Sequence, residues 1–379
     1  MIETDTDTIR NCNRKPMSFL KNPFAKSDEP INSYQDFWNW FAIHERKFFN
    51  SVKQSDAVEG KFFRPLSQKL EQLKEGFFYV TGMAEDDTAE LIVTADGIIK
   101  NFVFVEELVT AAPKLKGWLF TALKPALDLT NTQINLAGYE FHESNLHFFA
   151  NELLDYPDEV DLVVVYDDFK KEDEENITIG VQLFLDNYLG ELNFATSIDN
   201  LAIGGKEGID KEVISIGKLK EFLLWREKEF VEKYEGLRRH TEDDNYAALE
   251  AESENGEPLV AIVNSDLLKW EAKASHPWLL VVEFKYDGRD TNGMPDEATY
   301  QLFEEIENEI GAELKDSNGY LKVATETAQS TRKIYFACKD FRHPSKILHE
   351  VCMKHAGNAE MDYDIFKDKY WQSLERFVH

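Results

Sequence analysis

Cysteine is scarce in this chain: Cys12, Cys338 and Cys352 are the only three among 379 residues. So sparse and odd a set excludes a disulfide framework and suits a reducing compartment. Long apolar runs are missing too; none approaches the ~20 residues a helix needs to cross a bilayer. The N-terminus, Met1-Ile2-Glu3-Thr4-Asp5, lacks the basic-then-apolar layout of a signal peptide. These absences together predict a cytoplasmic protein with no membrane association. Positive charge is also in short supply, with 42 Lys and Arg against 71 Asp and Glu and a formal net charge of −29. Such a field repels phosphate backbones and anionic headgroups, so direct binding of nucleic acid or a membrane surface is disfavoured. Its plainest use is solubility. Its sharper use is docking a basic protein partner.

Motifs with known chemistry are equally short. There is no Gly-x-Ser-x-Gly elbow, and neither Cys338 nor Cys352 has neighbours that would lower a thiol pKa. Gly204-Gly205-Lys206-Glu207-Gly208 lacks the following Ser or Thr and the strand–loop–helix setting of a phosphate-binding loop. The acidic stretch 167–175 lacks the alternation and central Gly of a calcium loop. No catalytic residue, cofactor or metal site is therefore expected.

What is present is ample core material: 43% hydrophobic residues, with 13% aromatic. The length calls for more than one domain. Residues 1–33 are polar, hold Pro16, Pro23 and Pro30, and read as a flexible tail. Its Arg10, Arg14, Lys15, Lys21 and Lys26 offer a weak interaction arm, though a solvated tail is the simpler reading. Residues 34–236 read as a larger α+β domain. An aromatic helix carries Phe37, Trp38, Trp40, Phe41, Phe48 and Phe49, and a second carries Leu66, Leu70 and Leu73. Strands are expected at 77–81 and 89–94, and a third at 98–102 after the Asp96-Gly97 turn. A helix at 104–112, partial helix at 116–127, and strands at 133–139, 145–149 and 160–166 come next. Residues 177–185 read as a strand or buried segment, 186–192 as a short helix, and 214–234 as a long one. A boundary is expected near 236–245.

From residue 240 the pattern is clearer. Trp278 to Tyr286 is a β-branched and aromatic run, and Asp287 to Pro295 is dense in turn formers. Leu302, Phe303, Ile306 and Ile310 form a helical stripe closed by Gly311. Tyr320 to Thr327 and Arg332 to Cys338 read as a hairpin around Ala328-Gln329-Ser330-Thr331. A helix from Pro344 and a strand from Ala359 to Phe366 complete β-α-β-β-α-β. This is the split βαβ or ferredoxin-like order, preceded here by an extra hairpin. The fold class expected is α+β.

The same third of the chain resembles the bacterial family known as domain of unknown function 695. The resemblance rests on the strand pair Tyr246–Glu252 and Pro258–Asn264, and on the Asn292-Gly293-Met294-Pro295 turn. It rests also on Arg332…Tyr335-Phe336…Asp340 and the terminal Asp368…Trp371…Leu374. The family's hairpin carries a Gly ahead of the Arg, where this chain has Ser330-Thr331. The resemblance implies a fold and no chemistry.

Several groups of polar residues are candidates for chemistry. His343, His349, Cys352 and His355 lie close together in sequence, the last three at three-residue spacing on a helix, but Cys352 and His355 fall on its sheet-facing side with Ile347 and Val351 and suit core positions better than zinc ligands. His142 and His147, with Glu140 and Glu143, span a hairpin without fixed convergence. Asp186 and Glu191 could pair for acid–base work; helix capping by Asp186 and a surface Glu191 assume less. Arg289, Asp290, Asn292 and Arg332 could line one edge of the sheet as a loop-borne binding cluster, against the plainer reading of a turn held by Asx bonds. The favoured function is a non-enzymatic interaction or regulatory protein. The alternatives are a hydrolase or transferase with its site in the cleft between domains, and an immunity-type inhibitor of a basic toxin or nuclease. Oligomeric state is not legible.

Overall fold

A computed structural model describes residues 30–252 and 256–378. All but the last residues of the expected N-terminal tail lie outside that range. The architecture is mixed α+β.

The first unit contains α1 (Tyr34–Gln54), α2 (Arg64–Leu73), β1 (Phe78–Glu85), β2 (Thr88–Thr94), α3 (Ile99–Thr110) and β3 (Trp118–Ala122). Ser33 caps α1 by accepting the Asp36 N–H at 3.1 Å. The aromatic stripe of α1 is buried at Phe37, Trp38, Trp40, Phe41 and Phe48, meeting Trp118 and Phe120 of β3. The sheet order is β1-β2-β3, with β2 and β3 parallel across α3.

Two expectations fail in this unit. Residues 98–102 begin α3 rather than a strand. The Asp96-Gly97 turn is real, with φ of 50° and 79°. The apolar run after it, however, packs on all sides, because α3 touches β2 and β3 and also the C-terminal sheet unit. With residues 101–105 buried without a break, its first half loses the one-sided stripe that would betray it. Part of 116–127 forms β3, whose strand character comes from its pairing with distant β2.

The second unit holds β4 (Ile134–Leu136), β5 (Tyr139–Phe141), β6 (Leu146–Asn151), β7 (Asp161–Tyr166), α4 (Glu174–Leu189), α5 (Glu191–Ser197), β8 (Asn200–Gly204), β9 (Ile214–Ser215) and α6 (Leu219–Tyr234). Its four-stranded sheet runs β8-β7-β6-β9 over a core of its own. Residues 177–185 are the buried middle of α4, a case where a short apolar run could not separate helix from strand. Instead of one short helix at 186–192, the chain breaks between α4 and α5 at Gly190, whose φ is 79°. Gly180, inside α4, lies so close to Phe141 that an added Cβ would overlap its ring.

The third unit holds β10 (Tyr246–Glu252), β11 (Pro258–Asn264), α7 (Ser265–Leu268), β12 (Trp278–Lys285), α8 (Glu297–Glu313), β13 (Tyr320–Ala328), β14 (Thr331–Cys338), α9 (Arg342–His355) and β15 (Glu360–Lys367). The antiparallel sheet order is β10-β11-β13-β14-β12-β15. Counting β12, β13, β14 and β15 as first to fourth, the inner order is second, third, first, fourth, with the hairpin β10–β11 appended beyond β13. Alternation sends Leu280, Val282, Phe284, Ile334 and Phe336 to the face covered by α8 and α9. It sends Leu279, Leu321, Val323, Tyr335 and Ala337 to the other face, under Trp371, Leu374 and Phe377. The β13–β14 turn places Gln329 and Ser330 at φ 51° and 60°, both left-handed and neither a glycine.

One buried cluster is shared by the first unit and the helix-covered face of the third. Phe102 of α3 meets Phe341 with ring centroids 5.9 Å apart. Arg342 grips Glu106 with two bonds of 2.7 Å.

Candidate functional site

The appended hairpin makes the candidate site. Helices α8 and α9 cover the inner strands, but β10 and β11 extend past α8. The register pairs Ala248 with Ile262 and Tyr246 with Asn264, so Tyr246, Ala248 and Ile262 share the helix-side face. With no helix above them among the described residues, Tyr246 and Ile262 are 52% and 47% exposed. Tyr300 stands opposite on α8, 40% exposed, one turn after the Asp296 cap that accepts the Thr299 N–H at 2.8 Å. Between these walls lies a pocket of about 170 Å³, into which Glu304, Glu307, Lys322 and Arg332 also face.

Arg332 occupies the buried end, 8% exposed. One Nη donates to Glu307 at 2.9 Å and the other to Thr327 at 3.1 Å. Its guanidinium lies 5.7 Å from the Tyr300 ring centre. Its Nε is buried without a hydrogen-bond partner among the described residues. Lys322 also pairs with Glu307. Burial works to raise the Glu307 carboxyl; Lys322 and Arg332 overcome it and hold the pKa below the ordinary glutamate value. The site therefore combines exposed aromatic and aliphatic walls with a charge-balanced floor. Such a surface suits packing and hydrogen bonding.

Of the four expected binding residues, Arg332 alone lines this pocket. Arg289 is held by Asp287 on an exposed turn, and its guanidinium keeps that carboxyl down at about 2. Asp290 is exposed, and Asn292 takes a left-handed φ of 54°. The turn is a clasp: the Gly293 N–H donates to Gly288 at 2.8 Å, and the Gly293 carbonyl accepts Ser330 N–H at 2.9 Å and Tyr286 O–H at 2.9 Å.

The other groups weighed in the sequence disperse. His349 stacks edge-on to Phe104, His343 lies against Tyr320, and His355 bonds Glu309 at 3.0 Å. Burial raises the Cys352 thiol to about 11, far from a reactive thiolate. His142 bonds Ser144 at 2.8 Å, while His147 faces Asp167 at 3.2 Å. Among the described residues, no three His, Cys, Asp or Glu side chains gather as a metal site. Glu191 corrects an expectation: it is 1% exposed rather than on the surface. It accepts Thr94 O–H at 2.5 Å and the N–H groups of Ala95, Gly97 and Lys124 at 3.2, 2.9 and 3.0 Å. Asp186 lies in the last turn of α4 and pairs with Lys124 at 2.6 Å, so it caps no helix start.

Sequence reasoning missed one cluster altogether, at the junction of the second unit with the C-terminal tail. Asp199 bridges Lys367 and Lys369, both at 2.8 Å. Asp158 accepts Tyr370 O–H at 2.6 Å, Tyr234 O–H at 2.7 Å and Lys233 at 2.8 Å. Burial, helped by the neighbouring Lys369, brings Lys367 down to about 8 against the opposing pull of Asp199. Beside Asp158 opens a pocket of about 520 Å³ with Arg226, Phe230 and Lys233 in its wall. These residues come from four separate segments, so no local spacing could announce them.

No helix among the described residues is long and apolar enough to cross a membrane. No curated protein and no solved structure matches the chain. Most of the six-stranded sheet, though not residues 246–250 of β10, falls in a recognised segment: residues 251–378, the C-terminal third, match the model of a family of unknown function, DUF695.

Proposed function

We propose that this is a cytoplasmic, non-enzymatic interaction or regulatory protein that engages a basic protein partner. The observation that carries the reading is the groove at the open end of the six-stranded sheet. There Tyr246, Ile262 and Tyr300 are half-exposed around a buried arginine, in a chain of net charge −29. Tyrosine and arginine are the residues that concentrate binding energy at protein interfaces. An acidic surface steers a basic partner and accelerates its encounter. An inhibitor of a basic toxin or nuclease is one form of this activity.

The test compares the full chain with a Tyr246→Ala/Tyr300→Ala variant as baits for quantitative cross-linking in bacterial cytosol. Basic proteins recovered by the parent should be lost from the variant and weakened as salt shortens the screening length to about 3 Å. Equal recovery by both baits, or an acidic partner, would defeat the proposal.

A second reading, a hydrolase or transferase, draws on the junction pocket and on Lys367, whose lowered pKa would favour a base. Against it, Lys367 donates to Asp199 and to the Thr196 carbonyl at 2.6 Å, so two of its three donors are already engaged. An amine-reactive probe that modified Lys367 selectively at neutral pH would revive this reading.

A further inference from the structure

The six-stranded sheet ends differently on its two sides. At β15, Lys100 of α3 donates to the Tyr363 carbonyl at 2.7 Å and Lys367 to the Thr196 carbonyl at 2.6 Å, so neighbouring units lie against that edge. At the opposite end, no strand among the described residues pairs with the outer side of β10. Proteins usually guard such an edge with Pro, Lys, a bulge or a covering loop. Strand β10, Tyr246–Glu252, contains no Pro, Gly or Lys, and its pairing with β11 is unbroken over seven residues. Its side chains are mostly exposed.

Charge distinguishes this edge further. Residues 241–257 contain seven Asp and Glu and no Lys or Arg. Asp244 is engaged by Arg239 and Asn264, but Glu250 and Glu252 project from the strand itself, both exposed. Alternation puts them on the same face as Tyr246, Ala248 and Ile262, the face that leads into the Arg332 pocket. Small Ala248 leaves that face low between Tyr246 and Glu250. A chain laid along β10 would find main-chain donors and acceptors on one side, carboxylates beside alternate residues, and the half-exposed Tyr246 ring on the same face.

We infer that β10 accepts an extended, Lys- or Arg-bearing segment of the partner as a seventh strand. Main-chain bonds to the β10 edge would hold it, basic side chains would meet Glu250 and Glu252, and an apolar side chain would rest against Tyr246. This inference rests on the reading that the partner is basic, and adds where and how it binds.

The experiment uses the full chain and dye-labelled synthetic peptides of about eight residues, a typical strand length. One peptide alternates Lys and Val, a second is the same peptide N-methylated at alternate residues, and a third alternates Lys and Pro. Binding is read by fluorescence anisotropy at low salt, and its location by amide hydrogen exchange. The Lys/Val peptide should bind and slow exchange across 246–252. N-methylation on the pairing side should weaken it about tenfold or more, since main-chain bonds are lost. A Glu250→Lys/Glu252→Lys variant should weaken it to a similar degree. Equal binding of the Lys/Val, N-methylated and Lys/Pro peptides, with no protection at 246–252, would overturn strand addition while leaving a basic partner standing. Failure of all three to bind would remove the strand proposal and the basic-partner reading together.

Discussion

Glu191 Oε1 accepts the backbone N–H of Gly97 at 2.9 Å across 94 residues of chain. The same carboxylate also takes Ala95, Thr94 and Lys124, so one buried side chain at the start of α5 ties down the β2–α3 turn and the end of β3. Replacing it by alanine would strand the buried donors of Thr94 and Ala95 and leave those of Gly97 and Lys124 to water. Each orphaned donor costs about 1–3 kcal/mol, and water entering the void would recover part of that. Glu191→Ala is expected to lose more than about 3 kcal/mol in urea unfolding. A loss under about 1 kcal/mol would mean the donors find other partners.

Gly180 offers a prediction in which the sign matters. On an ordinary helix, Gly→Ala gains about 1 kcal/mol. Here the new methyl would run into the Phe141 ring, and overpacking of this kind costs about 1–3 kcal/mol. Gly180→Ala should therefore lower the melting temperature. A rise would show that Phe141 swings aside freely.

His276 is fully buried, with Nδ1 on Ser275 at 2.9 Å and Nε2 unpaired among the described residues. Burial, with a contribution from Lys339, holds its pKa down at about 3. The unfolded chain takes up the proton from about pH 6.5 downward, whereas the folded chain does so only near 3. Stability is thus lost as pH falls through that window, by about 2 kcal/mol at pH 5 from this group alone. Guanidinium unfolding of the parent and a His276→Asn variant at about pH 7 and pH 5 should show the variant losing less on acidification. Parallel losses would show that the imidazole is already protonated in the fold.

The β13–β14 turn holds Gln329 in a left-handed conformation that costs an ordinary residue about 1–2 kcal/mol and asparagine less. Gln329→Asn is expected to stabilise by up to about 1 kcal/mol, read from the urea midpoint at constant slope. An unchanged or lower midpoint would contradict the turn geometry.

Arg342 and Glu106 join α9 to α3 through two bonds, but both side chains are partly exposed. A double-mutant cycle with Arg342→Ala and Glu106→Ala should return a coupling of only about 0.5–1 kcal/mol. A larger value would assign this contact a major share in holding the first and third units together.

How far the fold is legible in the sequence depends on whether each residue's neighbours are near in the chain. The stripe Phe303, Ile306 and Ile310 and the alternation of β12 to β14 are local patterns, and the third unit can be read from them. The N-terminal aromatic helix is legible for the same reason. The start of α3 is hidden because residues 101–105 are buried without a break, which leaves no one-sided stripe. Segment β3 is hidden because only its pairing with β2, after an intervening helix, makes it a strand. In the groove, Arg332 can be named from the sequence but its setting cannot: the exposure of Tyr246 and Ile262 comes from where α8 stops covering the sheet. Glu191 and the Asp199–Lys367–Lys369 bridge have no local signature at all, since their partners lie dozens of residues away.

The sharing of α3 between two sheets bears on how this chain can be cut. A fragment trimmed to the segment of family likeness would begin at residue 251, inside β10, and would carry α9 without the helix that lies beside it. Phe341 would lose Phe102, and Arg342 would lose Glu106. The severed fragment would show solvent a greasy flank together with a broken strand edge, and sticking or proteolytic nibbling would result. The border of recognition thus cuts through packed material: the matched segment leaves out both most of its own edge strand and the helix against which its flank is buried.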